Sequence, residues 1–128
     1  MFATRTSNKW IAIFNAKFEE FVKDLITIFP DDKDFKLLKN SFGLMKLADE
    51  NKPFELFSKY GAHFEIEVKN RDENFFLNHS YKEVVDSESN FTEDIVNKLK
   101  NYWKDMGPDD KKAVWDYLTL FFELKKRV

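Results

Sequence analysis

The sequence of 128 residues contains no cysteine. Disulfide bonds, thiolate nucleophiles and cysteine-based zinc sites are therefore excluded. A chain without cysteine fits a reducing compartment. The N-terminus also lacks the uninterrupted apolar core of a secretory signal, because Lys9 and Asn15 interrupt it.

Glycine and proline are scarce, with three residues of each. All-β domains need many turns and are usually richer in both, so the scarcity favours long helices joined by short connections. The three glycines, Gly43, Gly61 and Gly107, are too far apart in the sequence to form a glycine-rich phosphate-binding loop.

Neither a strong charge of one sign nor a long apolar run is present. The 21 basic and 23 acidic side chains give a formal net charge of −2. This balance argues against a dedicated nucleic-acid surface. No apolar run approaches the roughly 20 residues that cross a bilayer, so we predict no membrane partner.

Histidine is rare as well, and His63 and His79 are the only two. His63 and Glu67 are four residues apart and could reach one metal ion from a helix face. No HExxH motif accompanies them, and two partly exposed histidines explain the pattern more simply. We also find no nucleophile paired with a base. We therefore predict no enzyme activity, no cofactor and no metal site.

Aromatic residues are abundant, with fifteen Phe, four Tyr and three Trp. Burying one ring removes on the order of 150–250 Å² from water, so few positions make a firm core. The most apolar stretch is 113–124, whose polar exceptions Asp116, Thr119 and Glu123 form one narrow stripe on a helix. We predict that this stretch is a central helix packed on most sides.

The first half of the chain also has helical periodicity. Apolar residues recur at spacings of three and four from Trp10 to Ile28, and Pro30 ends the pattern. Asp31, Asp32 and Asp34 lie where carboxylates cap and complement the start of a second helix. Gly43 weakens the middle of that helix, which predicts a kink or a split there. Pro53 marks the first turn of a third helix.

Residues 61–69 are ambiguous. Polar and apolar side chains alternate from His63 to Val68, which is typical of a strand. A lone strand has nothing to pair with, so we predict a helix.

The remaining segments complete a single helical domain, 1–128. We predict a loose N-terminal arm at 1–6, a surface loop at 78–92, and a helix capped by Thr92. Gly107 and Pro108 make a turn so short that we expect the last two helices to form an antiparallel hairpin. The predicted fold is all-α, with five to six helices and this C-terminal hairpin around the central apolar helix.

Some aromatic and basic residues are candidates for an interaction surface. Trp10 is close to the N-terminal arm, and Trp103 is close to the predicted hairpin turn, so both are candidates for exposed protein contacts. Lys104, Lys111 and Lys112 flank the same turn. They suggest the alternative function, a nucleic-acid-binding accessory protein, although interleaved acidic residues favour scattered solubilising charge.

Three stretches together resemble uncharacterised small helical proteins encoded by large nucleocytoplasmic DNA viruses of algae and protists. They are WIAIFNAKFEEFVKDLITIFPDDKDFK, YGAHFEIEVKNRDENFFLNHSY and LKNYWKDMGPDDKKAVWDYLTLFFELKKR. The resemblance spans most of the chain, and its motifs are packing motifs, so it carries over no site residue. It implies a viral origin and a place in the virion or inside the infected cell, in the cytoplasm or the nucleus. It also implies that the alternating segment around Glu65 is helical and leads into a turn at Asp72.

We therefore predict a non-enzymatic viral protein that acts through protein–protein interaction, as a virion component or a host-modulating factor. The partner would be a viral or host protein, or a second copy of the chain. This prediction depends on two observations: the sequence shows no recognisable set of catalytic residues, and it has more aromatic residues than a chain of this length usually has.

Overall fold

A computed structural model describes residues 9–74 and 91–128. The α-helices are α1 (Lys9–Ile28), α2 (Lys33–Ala48), α3 (Lys52–Gly61), α4 (Glu65–Lys69), α5 (Phe91–Tyr102) and α6 (Pro108–Arg127). Short 3₁₀ segments at Ala62–Phe64 and Trp103–Asp105 join α3 to α4 and follow α5. The described ranges contain no strand. The predicted all-α single domain is confirmed.

The first helix boundaries follow the local sequence signals. The helix α1 ends just before Phe29 and Pro30. The Asp32 side chain then accepts a hydrogen bond of 2.9 Å from the backbone N–H of Asp34 and caps α2, as predicted. The helix α2 continues through Gly43 without the predicted split. Tertiary packing of its buried face outweighs the weak helix propensity of one glycine.

The ambiguous segment 61–69 is helical, as predicted. Its end is a Schellman motif, in which the N–H of Arg71 donates to the carbonyl of Val68 and the N–H of Asp72 donates to that of Glu67. Arg71 occupies the position that usually holds glycine, with φ of 49°. The predicted turn at Asp72 therefore exists.

Replacements of Arg71 would separate the backbone cost of this turn from the side-chain gain. The Arg71 guanidinium lies 2.7 Å from the Asp116 carboxylate, and both are well exposed. We expect Arg71→Gly to be more stable than Arg71→Ala by about 1 kcal/mol, because both lose the ion pair and only glycine tolerates positive φ freely. Urea unfolding of the two variants measures the difference. Equal midpoints would show that the left-handed conformation carries no strain here.

The aromatic core lies between α1, α3 and α6. The helix α6 buries Val114, Trp115, Leu118, Phe121, Phe122 and Leu124. It packs mainly against α1 and α4, whereas α5 packs mainly against α2 and α3. The prediction that the 113–124 stretch is buried is confirmed. The antiparallel hairpin of the last two helices is not confirmed, because the principal neighbours of α5 and α6 are other helices.

Some predicted features fall partly or wholly outside the described residues. The N-terminal arm at 1–6 lies outside them, as does most of the predicted loop at 78–92. The helix α5 begins at Phe91, so Thr92 lies within the helix and not at its cap. A difference of one residue at a helix start is common, because helix ends are defined by few hydrogen bonds.

Candidate protein-interaction surface

The helix α2 carries apolar residues on two opposite sides. One side is buried and consists of Phe35, Leu38 and Phe42. The other side consists of Leu37, Leu44 and Leu47, which are 62%, 70% and 83% exposed. Spacings of seven and three residues place these leucines on one side of a helix. We call this set of three residues the leucine face.

An open groove of about 580 Å³ lies beside the leucine face. Leu44, Leu47, Asn40 and Gly43 of α2 contribute to its lining, and Glu19 of α1 forms part of its edge. A Cβ atom built on Gly43 would meet no other atom within 4 Å. The space above Gly43 is therefore open, and packing within the described part of the chain does not require glycine there.

The charge along this side of α2 is mainly positive. Lys46 lies 3.5 Å from Glu19, which also contacts Lys23 at 3.3 Å. Burial alone would raise the pKa of Glu19, but these two lysines lower it overall, so this carboxylate is ionised at neutral pH. Among the described side chains, those of residues 9–74 and 97–128, no carboxylate lies within ion-pair distance of Lys33, Lys36 or Lys39. We call these three residues the basic flank.

Trp10, the first of the predicted surface residues, is partly buried against the core. The Lys9 ammonium lies 5.0 Å from the centre of its ring, and the Arg127 guanidinium lies 5.2 Å from it. These cation–π distances are favourable. Trp10 thus joins the start of α1 to the end of α6.

Trp103 is fully buried and is therefore not part of an exposed surface, contrary to its place in the prediction. Its ring packs edge-to-face on Trp115, with ring centres 5.4 Å apart. Lys111 covers it from outside, with the ammonium 5.5 Å from the ring centre. Sequence position next to a turn suggested exposure, but the 3₁₀ segment directs this indole into the core.

The three predicted lysines have separate surroundings. Lys104 is exposed. Lys111 lies 3.0 Å from Glu73, and Lys112 lies 2.8 Å from Asp116. The hydrogen bond from Lys111 is the main reason that the pKa of Glu73 is lowered. Carboxylates thus offset the charge of Lys111 and Lys112, which weakens the attraction of this region for phosphates.

The structure does not bring the five predicted residues together. Trp10 contacts Arg127 at the end of α6, whereas Lys111 and Lys112 lie near its start. At 1.5 Å per residue, these ends are roughly 24 Å apart. The leucine face of α2 was not identified from the sequence. A helical projection would have separated these leucines from the buried residues of α2, because the two sets lie on opposite sides.

A second polar cluster joins Asp32, Lys98 and Tyr102. The Tyr102 hydroxyl donates to Asp32 over 2.5 Å, and the Lys98 ammonium donates to the same oxygen over 3.0 Å. The Tyr102 ring stacks on Phe29 with ring centres 4.1 Å apart. The hydrogen bond to Asp32 is the main reason that the pKa of Tyr102 is raised. A tyrosine that holds its proton more tightly is a poor acid, so this cluster serves to tie the α1–α2 turn to α5.

His63, for which partial exposure was the simpler explanation than metal binding, is exposed. In the described part of the chain, no three His, Asp or Glu side chains are grouped so that they could hold a metal ion. None of the helices that the structure describes is long and apolar enough to cross a membrane.

No family model matches this chain, and no curated protein and no solved structure is significantly similar to it.

Proposed function

We propose that this protein is a non-enzymatic interaction protein whose binding site is the leucine face of α2. The observation that carries the proposal is the alignment of Leu37, Leu44 and Leu47 on one exposed side of one helix. Contiguous exposed apolar residues with a polar rim are typical of protein-binding sites.

The alternative explanation is that these leucines are ordinary surface residues. A single exposed leucine needs no explanation, and leucine is a good helix former. The distribution argues against this explanation. In residues 9–74 and 97–128, whose side chains the structure describes, six large hydrophobic residues are exposed, and three of them lie on this one side of α2. Residues scattered at random over the surface would not align in this way.

The viral origin implied by the resemblance remains part of the proposal. A virion component and a host-modulating factor would both act by binding another protein, and a helix face is a common site for such binding. Binding of nucleic acid through Lys104, Lys111 and Lys112 is less favoured, because two of these lysines pair with carboxylates.

A selection from a library of displayed amphipathic helical peptides tests the proposed site. The full-length protein is the target, and we expect it to retain peptides that the variant Leu44→Asp/Leu47→Asp does not retain. A charged residue in an apolar interface leaves an uncompensated buried charge, so binding should fall at least about a hundredfold.

The matched control is Glu123→Lys/Lys126→Glu, which changes exposed charges on α6. We expect this variant to bind the same peptides as the unmodified protein. Circular dichroism must show equal helix content in all three proteins. Peptides that bind the leucine variant and the unmodified protein equally would contradict the proposed site.

A further inference from the structure

We infer that the partner of the leucine face is an acidic amphipathic helix of another protein, and that it lies along the α2 groove with its closest approach at Gly43. This inference depends on the proposed function and adds the chemistry of the partner. It combines three observations: the leucine face, the basic flank, and the open space above Gly43.

The charge of the partner follows from the basic flank. Lys33, Lys36 and Lys39 have no carboxylate partner in the described residues, whereas Lys46 is paired with Glu19. A helix that covers the leucines brings its own flanks close to these ammonium groups. Acidic side chains there would be attracted, and basic ones would be repelled.

The same charges argue against a second copy of this chain as the occupant. A symmetric dimer through α2 would place the leucine face of one copy on that of the other. The helix carries Lys33, Lys36, Lys39 and Lys46 but only Asp34 as an acidic residue. Asp34 already lies 2.7 Å from Lys98. Two such helices would bring like charges together.

Gly43 indicates that the occupant approaches closely. Glycine inside a helix lowers helix stability relative to alanine. A side-chain carbon at this position would meet no neighbour within 4 Å, so packing within the described fold does not explain the glycine. The distance between two packed helices depends on the size of the side chains at their contact, and a glycine permits a short distance.

An anionic membrane surface is a different occupant for a helix with leucines and lysines. The local geometry disfavours it. The polar Asn40 lies within the leucine stripe, and the ionised Glu19 lies at the edge of the groove. Anionic headgroups would repel this carboxylate, and an apolar bilayer interior would not satisfy the Asn40 amide.

The test uses two synthetic helical peptides as long as α2. Both carry leucines on one side, and their flanks carry Glu in one peptide and Lys in the other. We expect fluorescence anisotropy with the full-length protein to show that the acidic peptide binds at least about tenfold more tightly. Its affinity should fall as salt rises. The variant Lys36→Glu/Lys39→Glu should reverse the preference between the peptides.

Gly43→Ala supplies a second readout. We expect a higher urea midpoint, because alanine favours the helix and has free space, together with affinity for the acidic peptide that is about tenfold lower. A merely damaged protein would lose both stability and affinity. Unchanged affinity would refute the close approach at Gly43.

The other outcomes are equally informative. Equal binding of both peptides through Leu44 would refute the acidic partner and leave the protein-binding function intact. Binding of neither peptide, with no leucine-dependent peptide from the library, would refute both. Dimerisation that Leu44→Asp abolishes, or binding to phosphatidylserine vesicles that Leu44→Asp abolishes, would replace the acidic helix by a second copy or by a bilayer.

Discussion

Phe121→Ala is expected to destabilise the protein by about 3–5 kcal/mol, the usual cost of removing a buried phenylalanine ring. Phe121 is fully buried. Its ring centre lies within 6.2 Å of those of Phe14, Phe18, Phe21, Phe57 and Tyr117. This one side chain therefore connects α1, α3 and α6, and its loss leaves a cavity bordered by three helices.

Urea unfolding followed by circular dichroism measures the effect. Leu47→Ala is the control, because Leu47 is 83% exposed and its truncation should change stability by no more than about 0.5 kcal/mol. If Phe121→Ala does not fold, Phe121→Leu keeps most of the apolar volume and gives a smaller loss in the same direction. A Phe121→Leu variant as stable as the unmodified protein would contradict the central place of this ring.

The second large effect is expected for Asp32→Ala, at about 2–4 kcal/mol. The Asp32 carboxylate caps α2 and accepts hydrogen bonds from Tyr102 and Lys98, and its side chain is only 7% exposed. Alanine removes the cap and leaves the Tyr102 hydroxyl without its acceptor, while Lys98 keeps only its ion pair with Asp34. Asp31→Ala is the matched control. The neighbouring Asp31 is exposed, so this variant should lose little free energy of unfolding.

The contribution of Asp32 should also depend on pH. Burial alone would raise its pKa, but hydrogen bonds from Tyr102, Lys98 and the Asp34 N–H outweigh this and lower it below the ordinary value of 3.8. A lowered pKa in the folded state means that the carboxylate stabilises the fold above pH 3.8. This contribution is lost as the pH falls through the folded-state pKa.

Tyr102 and Lys98, the partners of Asp32, determine how the same contribution to stability changes at alkaline pH. The hydrogen bond to Asp32 raises the pKa of Tyr102 above 10.0. The pKa of Lys98 is raised above 10.5, chiefly by its hydrogen bond to Asp34 and next by its hydrogen bond to Asp32. Their contribution is full below these ordinary values and is lost as the pH rises through the folded-state values. The stability difference between the unmodified protein and Asp32→Ala should be flat between pH 4 and 10 and decline on both sides. A difference that does not change down to pH 2 would contradict the ion-paired cluster.

Much of the fold could be predicted because aromatic and aliphatic residues repeat at helical spacing. The pattern from Trp10 to Ile28, the stop at Pro30 and the Asp32 cap all depend on neighbours in the sequence. Local steric rules and capping chemistry therefore suffice to place α1 and the start of α2. The helix at 61–69 was also predicted correctly, because the sequence has no second alternating segment with which a strand could pair.

The candidate site could not be predicted in the same way. The α2 pattern has apolar residues on two sides, and local periodicity does not say which side receives neighbours. Trp103 and Lys111 show the same limit. The sequence places both near a turn, but only distant contacts bury the Trp103 ring and pair Lys111 with Glu73.

The sequence by itself therefore determined the helical class, most helix boundaries and the aromatic content of the core, because these depend on interactions within one or two helical turns. The tertiary structure alone decided which face of α2 stays exposed, which lysines remain without a carboxylate, and where a glycine leaves open space. Burial and charge pairing depend on residues far apart in the chain, so they exist only once the helices have packed.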